Sequence, residues 1–395
     1  MFLLYDIFLT TFYKIIAPIL SLFSTKTKIW LTEQKKIEKF IYKIDNEKKI
    51  WLHCSSVGEF KQIQPLIKHF EENKKKIIIT FFSPDAYKYL KGKIKHPCSL
   101  FPLETKKKIR LFIEKINPEK IFIAKNEIWP NLINISYQKS IPIILVGSKI
   151  KNSKINSFFY GKYYCSLLKK IHLIFVQDKE SKMLLEIKNI YSIISGDPRI
   201  DQVLLDSVKE KENELIKKFI NEDEVILAGS TDSKDYNIFK DLMNSDQKKW
   251  IIVPHENSKK EIKKIEKYIK KKWCLYSNPN NLKSSKIMII DEIGILKYIY
   301  KYANVVYVGG GFSKGIHNCL EPAIFGKPIL FGPKYKNFPE ANYYLKEKIA
   351  FCIKNKDEFK NLVNQQFKYE DLKIKSKLFF KIHKGATKKI IKELN

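Results

Sequence analysis

Short apolar runs that recur between helix-patterned segments constrain this chain more than any other feature. A first series reads Ile50–Cys54, Ile77–Phe81, Ile121–Ala124, Ile141–Val146, Ile171–Val176 and Ile193–Ser195. A second reads Val225–Ala228, Trp250–Val253, Ile287–Ile290, Val305–Val308 and Ile329–Phe331. Runs without polar alternation are what strands buried on both faces look like. Helical patterns such as Phe60–Glu72 and Lys106–Ile116 separate them, so the rhythm implies βαβ units and parallel sheets covered on both faces. At 395 residues the chain is too long for one ordinary core, and two series predict two domains. The charged segment Ser207–Asn221 lies between them and reads as a linker helix. The expected fold is α/β: two doubly wound, Rossmann-like domains facing a cleft, at residues 25–205 and 206–395. Ligands would sit at the carboxyl ends of the strands. The last helix, about Lys373–Leu394, is basic and amphipathic and a candidate to cross back.

Ahead of the first strand, Phe2–Phe23 is apolar and long enough to cross a bilayer as a helix. Asp6, Lys14 and Pro18 interrupt it, so it reads as a weak spanning segment or one lying partly in the interface. Neither a basic leader nor a small-residue cleavage site is evident, which predicts an uncleaved anchor over residues 1–24. The alternative is a first helix packed on the globular body. Lys26, Lys28, Lys35, Lys36 and Lys39 follow and would stay on the cytoplasmic side. Across the chain 74 basic residues face 42 acidic ones, a net charge of +32. That excess invites a polyanion: nucleic acid, an anionic bilayer or a phosphorylated substrate. Part of it reflects general over-use of Lys with Ile, Asn and Tyr, as an AT-rich genome dictates, because the lysines are spread throughout. Aromatic–basic interleaving of the RNA-binding kind is absent, which argues against nucleic acid. The six cysteines form no C-x-x-C pair and the seven histidines show no ligand spacing. This fits a reducing compartment without a structural metal.

Chemistry-bearing residues cluster just past the strands. In the first series His53-Cys54-Ser55-Ser56-Val57-Gly58-Glu59 puts Glu59 at a helix start, where the helix dipole favours a carboxylate and hence a base. A capping Glu after Ser55 or Ser56 is the plainer reading. Lys125-Asn126-Glu127-Ile128-Trp129-Pro130-Asn131 puts Glu127 at another strand end, with Trp129-Pro130 as packing and turn. In the second series four loops follow strands: Gly229-Ser230-Thr231, Val253-Pro254-His255, Asp291–Leu296, and Gly309–Glu321. The last combines a glycine turn with Asn318, a good N-cap, and Glu321 at the capping-box position. Glycines and helix N–H groups suit a phosphate, although they also suit a bare turn and cap. The loop is neither the dinucleotide fingerprint, lacking its final glycine, nor a Walker loop.

Taken together, HCSSVGEF, KNEIWPNL, SGDPRIDQV, AGSTDS, IIVPHE, the IGIL helix start and VGGGFSKGIHNCLEPAIFGKPILFGP resemble the Kdo transferases over nearly the whole chain. The resemblance implies a GT-B fold and transfer of 3-deoxy-D-manno-octulosonic acid (Kdo) from CMP-Kdo to the lipid A precursor, lipid IVA, in lipopolysaccharide core synthesis. By that resemblance Glu59 is the general base, and Glu127 helps hold the acceptor or the Kdo unit. Pro254, His255, Ile293, Gly294, Ile295, Asn318, Cys319, Leu320 and Glu321 would line the donor pocket. The displacement would be inverting, with no metal or other cofactor. The first domain would take the acceptor and the second CMP-Kdo, on the cytoplasmic side of an anionic bacterial inner membrane. The sequence departs from the family at His255, commonly Arg; at Cys319, usually Pro; and at Ile295, often Glu. Those changes put the side chains in doubt but not the backbone. The alternatives are another GT-B enzyme using a different nucleotide sugar, and a non-enzymatic basic protein of the membrane surface or of nucleic acid. The last leaves the strand-end acids and glycines unexplained.

Overall fold

The computed structural model describes residues 2–158, 160–208 and 212–394. Two seven-stranded sheets organise it, and every strand pair is parallel. The first holds β1 (Lys49–Cys54), β2 (Lys76–Phe81), β3 (Cys98–Leu100), β4 (Pro118–Ala124), β5 (Ile143–Ser148), β6 (Leu173–Val176) and β7 (Ile193–Ile194). Its order is β3-β2-β1-β4-β5-β6-β7. The second holds β8 (Val225–Thr231), β9 (Lys249–Pro254), β10 (Trp273–Leu275), β11 (Ile287–Ile289), β12 (Val305–Val308), β13 (Ile329–Phe331) and β14 (Ala350–Cys352). Its order is β10-β11-β9-β8-β12-β13-β14. In each sheet the order reverses beside the first strand, between β1 and β4 and between β8 and β12. Such reversals open a crevice past the carboxyl ends, because the flanking helices leave to opposite faces.

Central strands are apolar throughout because both faces are covered: Ile121, Phe122, Ile123 and Ala124 of β4 are all fully buried. Covering helices are one-sided. In Val57–Glu72, Phe60, Ile63, Ile67 and Phe70 recur at helical spacing and pack on the first sheet. The three-residue strands β3, β10 and β14 escaped the sequence reading, being too short to show a period.

Two compact units result. One takes the chain up to Gln202 together with the segment from His383 on, and the other is Val203–Ile382. The predicted linker helix Ser207–Asn221 is not one helix. Pro198–Val208 and Glu214–Ile220 are separate, and residues 209–211 fall outside those described. Asn213 starts the second helix by accepting the Ile216 N–H (3.1 Å), and Asn221, at φ 45°, ends it. The last helix is also two, Tyr369–His383 and Ala386–Leu394, broken where Gly385 takes φ 97°. Asp201 caps the second piece, its two oxygens accepting the Gly385 (2.6 Å) and Thr387 (2.7 Å) N–H groups. Ile390 then enters the core of the first sheet.

At the other terminus Tyr5–Phe23 is one apolar helix with mean hydropathy 1.5 and little of it buried. It widens to a π-turn at Phe12–Ile16, just ahead of Pro18, whose missing N–H forbids the regular bond there. Ser24 ends it and caps the helix Thr25–Ile41.

Candidate active site

In the first unit the site stands at the β1/β4 reversal. The loop after β1 starts the helix Val57–Glu72 with Ser56 as N-cap, its Oγ accepting the Glu59 N–H (3.3 Å). The Glu59 carboxylate turns back, and Oε2 accepts the Ser55 N–H (2.6 Å). Ser56, not Glu59, caps the helix; Glu59 ties back the residue ahead of the cap, and its Oε1 is left over, 3.8 Å from Lys125 Nζ. Lys125 opens the loop after β4 at φ 59°, a left-handed conformation that lysine rarely adopts, held by its N–H bond to Val146 O (2.8 Å).

Glu127 arrives from the same loop. Ser55 Oγ–H donates to its Oε1, while His53 Nε2 (3.0 Å) and Trp129 Nε1–H (3.3 Å) bond Oε2. Ser55 thus joins the two acids, by its N–H to one and its hydroxyl to the other. Behind this pair Trp51 Nε1–H donates to Thr80 Oγ1 (2.8 Å), and Thr80 Oγ1 lies 2.9 Å from His53 Nδ1. With the Thr80 oxygen accepting from Trp51, its own proton is free for Nδ1, which leaves Nε2–H to donate to Glu127. Phe101 covers the imidazole (4.4 Å between centroids) and lies against Trp129 (4.7 Å).

Glu104 supports the arrangement from below. The helix Pro130–Gln138 has Trp129 at its N-cap, which cannot cap, so Glu104 Oε1 accepts the Asn131 (2.6 Å) and Leu132 (3.0 Å) N–H groups instead. Burial pushes its carboxyl up to about 8, against those bonds.

The two strand-end acids are driven apart. Burial raises the Glu59 pKa, with the Ser55 N–H and Lys125 opposing and the Glu127 charge adding to the rise. The dipole effect expected from sequence is outweighed. Burial also acts on Glu127, but the bonds from His53, Ser55 and Trp129 win and lower its pKa. A carboxylate raised toward neutrality is the better proton acceptor, while one held ionised acts as a fixed charge. The sign gives a test. If Glu59 acts as a base, the acid limb of the pH–rate profile should lie above the ordinary glutamate range of about 4.3. Glu127→Gln removes a charge that raises Glu59, so in that variant the limb should move to lower pH. An unmoved limb in the pH–rate profile would assign the titration elsewhere.

In the second unit β11, β9, β8 and β12 are neighbours, so the four loops of the sequence reading share one edge. Asp235 organises it: Oδ2 accepts the Gly310 (3.0 Å) and Asp232 (2.9 Å) N–H groups, and the Tyr307 hydroxyl donates to Oδ1 (2.6 Å). Burial pushes its carboxyl up to about 6. The glycines answer to packing. A Cβ on Gly309 would stand 2.4 Å from Ser230 O, and one on Gly311 2.5 Å from Gly332 N.

His255, exposed past β9, stacks on His317 at 4.2 Å between centroids. Burial and that neighbour lower the His317 pKa to about 4, so its imidazole is neutral at pH 7. Pro254 is the buried last residue of β9. Ile293 is exposed and Gly294 takes φ 95° ahead of the short helix Leu296–Ile299. Asn318 does not open a helix itself: the helix is Leu320–Ala323, and Asn318 Oδ1 accepts the Leu320 N–H (3.0 Å). The Cys319 and Leu320 side chains are fully buried, and Glu321 is half-buried. Tyr300 packs beneath these loops, its hydroxyl beside Gly229, with Glu321 and Cys319 near enough to raise its pKa after burial has done so.

Sequence reasoning quoted His53, Ser55, Lys125 and His317 within their motifs without giving them a part in the site, and it passed over Thr80 and Asp235. Asp232-x-x-Asp235 ahead of an amphipathic run was a readable capping box. His53 needed the pairing of β1 with β2, which sets it beside Thr80.

Residues 25–201 match the family model of the 3-deoxy-D-manno-octulosonic-acid transferase (kdotransferase). A bifunctional glycosyltransferase/methyltransferase of Fusobacterium nucleatum is 28% identical over 395 residues, 94% of this chain and 60% of that protein, so the chain spans less than two thirds of that relative. The 3-deoxy-D-manno-octulosonic acid transferase of Aquifex aeolicus is 29% identical over 325 residues, 78% of this chain and 83% of that one. Among solved structures, UDP-GlcNAc 2-epimerase from Neisseria meningitidis superposes with a TM-score of 0.60 at 16% identity, covering 88% of this chain and 99% of the other, which is a likeness of fold. The matched region stops one residue short of where the first compact unit hands over to the second, and it contains both strand-end acids. Relatives extend the alignment across most of the remainder, so the chain is similar to the Kdo transferases over the greater part of its length.

Proposed function

We propose that the protein transfers Kdo from CMP-Kdo to the lipid A precursor lipid IVA in one inverting displacement, at the cytoplasmic face of the bacterial inner membrane. The observation that carries this is the Glu59–Ser55–Glu127 arrangement, in which one buried carboxyl has a raised pKa beside another held ionised. An acceptor hydroxyl gives its proton to Glu59 as its oxygen bonds the anomeric carbon of Kdo. The bond from that carbon to the CMP phosphate breaks on the opposite face, and its electron pair leaves with the phosphate. Glu127, fixed by His53, Ser55 and Trp129, orients the acceptor or the Kdo unit.

Donor binding falls to the second unit. The backbone N–H groups around Asn318–Glu321 and the His255–His317 pair offer donors to the departing phosphate, which suits a charge that develops in the transition state. Pro254 and Ile293–Ile295 complete the wall of that pocket, and the loop glycines serve it by letting the strand ends close up. The apolar Tyr5–Phe23 helix and the lysines after it keep the enzyme at an anionic surface.

Full-length protein incubated with CMP-Kdo and tetra-acylated lipid IVA should yield lipid-linked Kdo and CMP in equal amounts. Absence of lipid-linked product, together with a rise in melting temperature on adding a different nucleotide sugar, would replace CMP-Kdo as the donor.

A further inference from the structure

The Tyr5–Phe23 helix is tied to the first unit near its start and again at its middle. Near its start Asp6 Oδ1 accepts the Lys106 N–H (2.6 Å) and the Asn131 side-chain amide (3.2 Å). At its far end the chain turns at Ser24, and Thr25–Ile41 runs back alongside. Tyr13 stacks on Trp30 at 5.4 Å, and Ile37 and Ile41 join the core of the first sheet. A helix of 19 residues is about 28 Å long, close to the roughly 30 Å of a hydrocarbon layer. Held at Asp6 and Tyr13, and walling a cavity with the body at Pro18 and Ser21, it lies against that body along most of its length. Its outer residues Phe8, Ile15, Ile19, Leu22 and Phe23 are nonetheless exposed and apolar, as suits a helix lying within one leaflet.

Between this hairpin and the body lies a cavity of about 480 Å³, well inside the roughly 300–1,000 Å³ of small-molecule sites. Tyr13, Pro18, Leu31 and Ile37 wall it from the hairpin side, Leu103 and Leu111 from the body. Lys28 and Lys35 also line it, are exposed, and have no ion-pair partner among the described residues; Lys108 is paired with Glu38. An apolar interior with free cations at the rim matches an acyl chain carried on a phosphorylated head. Residues 101–103 place the cavity next to the two strand-end acids, since Leu103 walls it while Phe101 packs against His53 and Trp129.

We infer that this cavity is an acyl-chain subsite for the lipid acceptor: one chain lodges under the hairpin, drawn from the leaflet in which the hairpin lies, and the sugar head reaches Glu59 and Glu127. The inference rests on the proposed acylated acceptor, yet it can be read without turnover. Full-length protein in anionic vesicles is irradiated with lipid IVA bearing a diazirine on an acyl chain, digested, and mapped by mass spectrometry. Label is expected on residues 31–41 and 103–112. Unlabelled lipid IVA should remove it and an equal amount of phosphatidylglycerol should not. Leu111→Trp, which fills the cavity, should lose the label while Kdo transfer to a de-acylated diglucosamine bisphosphate stays as in the parent. The exposed pair Lys28→Glu/Lys35→Glu, which leaves the core untouched, should weaken it. Label elsewhere, or equal competition by phosphatidylglycerol, would overturn the subsite. Correct labelling without any transfer would instead overturn the Kdo-transfer reading.

Discussion

Glu59→Gln is expected to stay folded, to bind CMP-Kdo as the parent does, and to lose Kdo transfer by about 10²–10⁴-fold, the range that a positioned general base supplies. The amide oxygen can still accept the Ser55 N–H, so the helix start survives. Stability should not fall either. A carboxyl whose folded pKa lies above its unfolded value favours folding at low pH and loses that contribution as pH rises through the folded value, so an ionised Glu59 contributes little at neutral pH. Neutralising it leaves the melting temperature equal or higher. Single-turnover rates with saturating donor, beside a thermal melt, decide the matter. A folded variant with parental rates would move the base to Glu127.

Gly309→Ala should be the most damaging small change in the second unit. The added Cβ would meet Ser230 O at 2.4 Å, Thr231 Cα at 2.7 Å and Asp235 Oδ2 at 2.7 Å. Two of those atoms are backbone of β8, which Gly309 itself binds through its N–H to Gly229 O (2.9 Å), so neither strand end can move without breaking the other's bond. Overpacking of this kind costs about 1–3 kcal/mol or more, a drop of roughly 2–12 °C in a domain of this size. Asp235 would also be displaced from the Gly310 N–H, spreading the damage to the loops past the strand ends of that sheet. Gly58→Ala is the contrast: its Cβ would meet only Ser56 Oγ at 3.8 Å, at an ordinary φ in a helix. That variant should match the parent or exceed it. Equal melting temperatures for the two variants would contradict the packing argument.

What the sequence conveyed and what it withheld follow one line. Strands buried on both faces announce themselves, as Ile121–Ala124 does, because every residue must be apolar. A three-residue edge strand such as β10 carries no such requirement. Glu59 and Glu127 were legible as acids past strand ends, but the opposite shifts of their pKa values were not. Those depend on a serine shared between two loops and a histidine braced from β2, contacts that only the strand register creates. The glycines after β12 were legible as a loop, while their main cause, the closeness of Ser230 and Gly332, belongs to the tertiary structure. His255 and His317, 62 positions apart, give no sign in sequence that their rings will touch.

The helix Ala386–Leu394 carries a consequence for how the protein is made. Ile390 belongs to the core of the first sheet, and Asp201 is the acceptor that caps that helix. A ribosome that has finished residue 202 has therefore released a unit still lacking part of its interior, and the whole of Val203–Ile382 must be translated before the missing piece emerges. Until then the nascent first unit is incomplete while its apolar leading helix is already exposed. An unfinished interior and an exposed apolar helix therefore coexist for as long as the second unit takes to emerge, an interval set by the path of the chain alone.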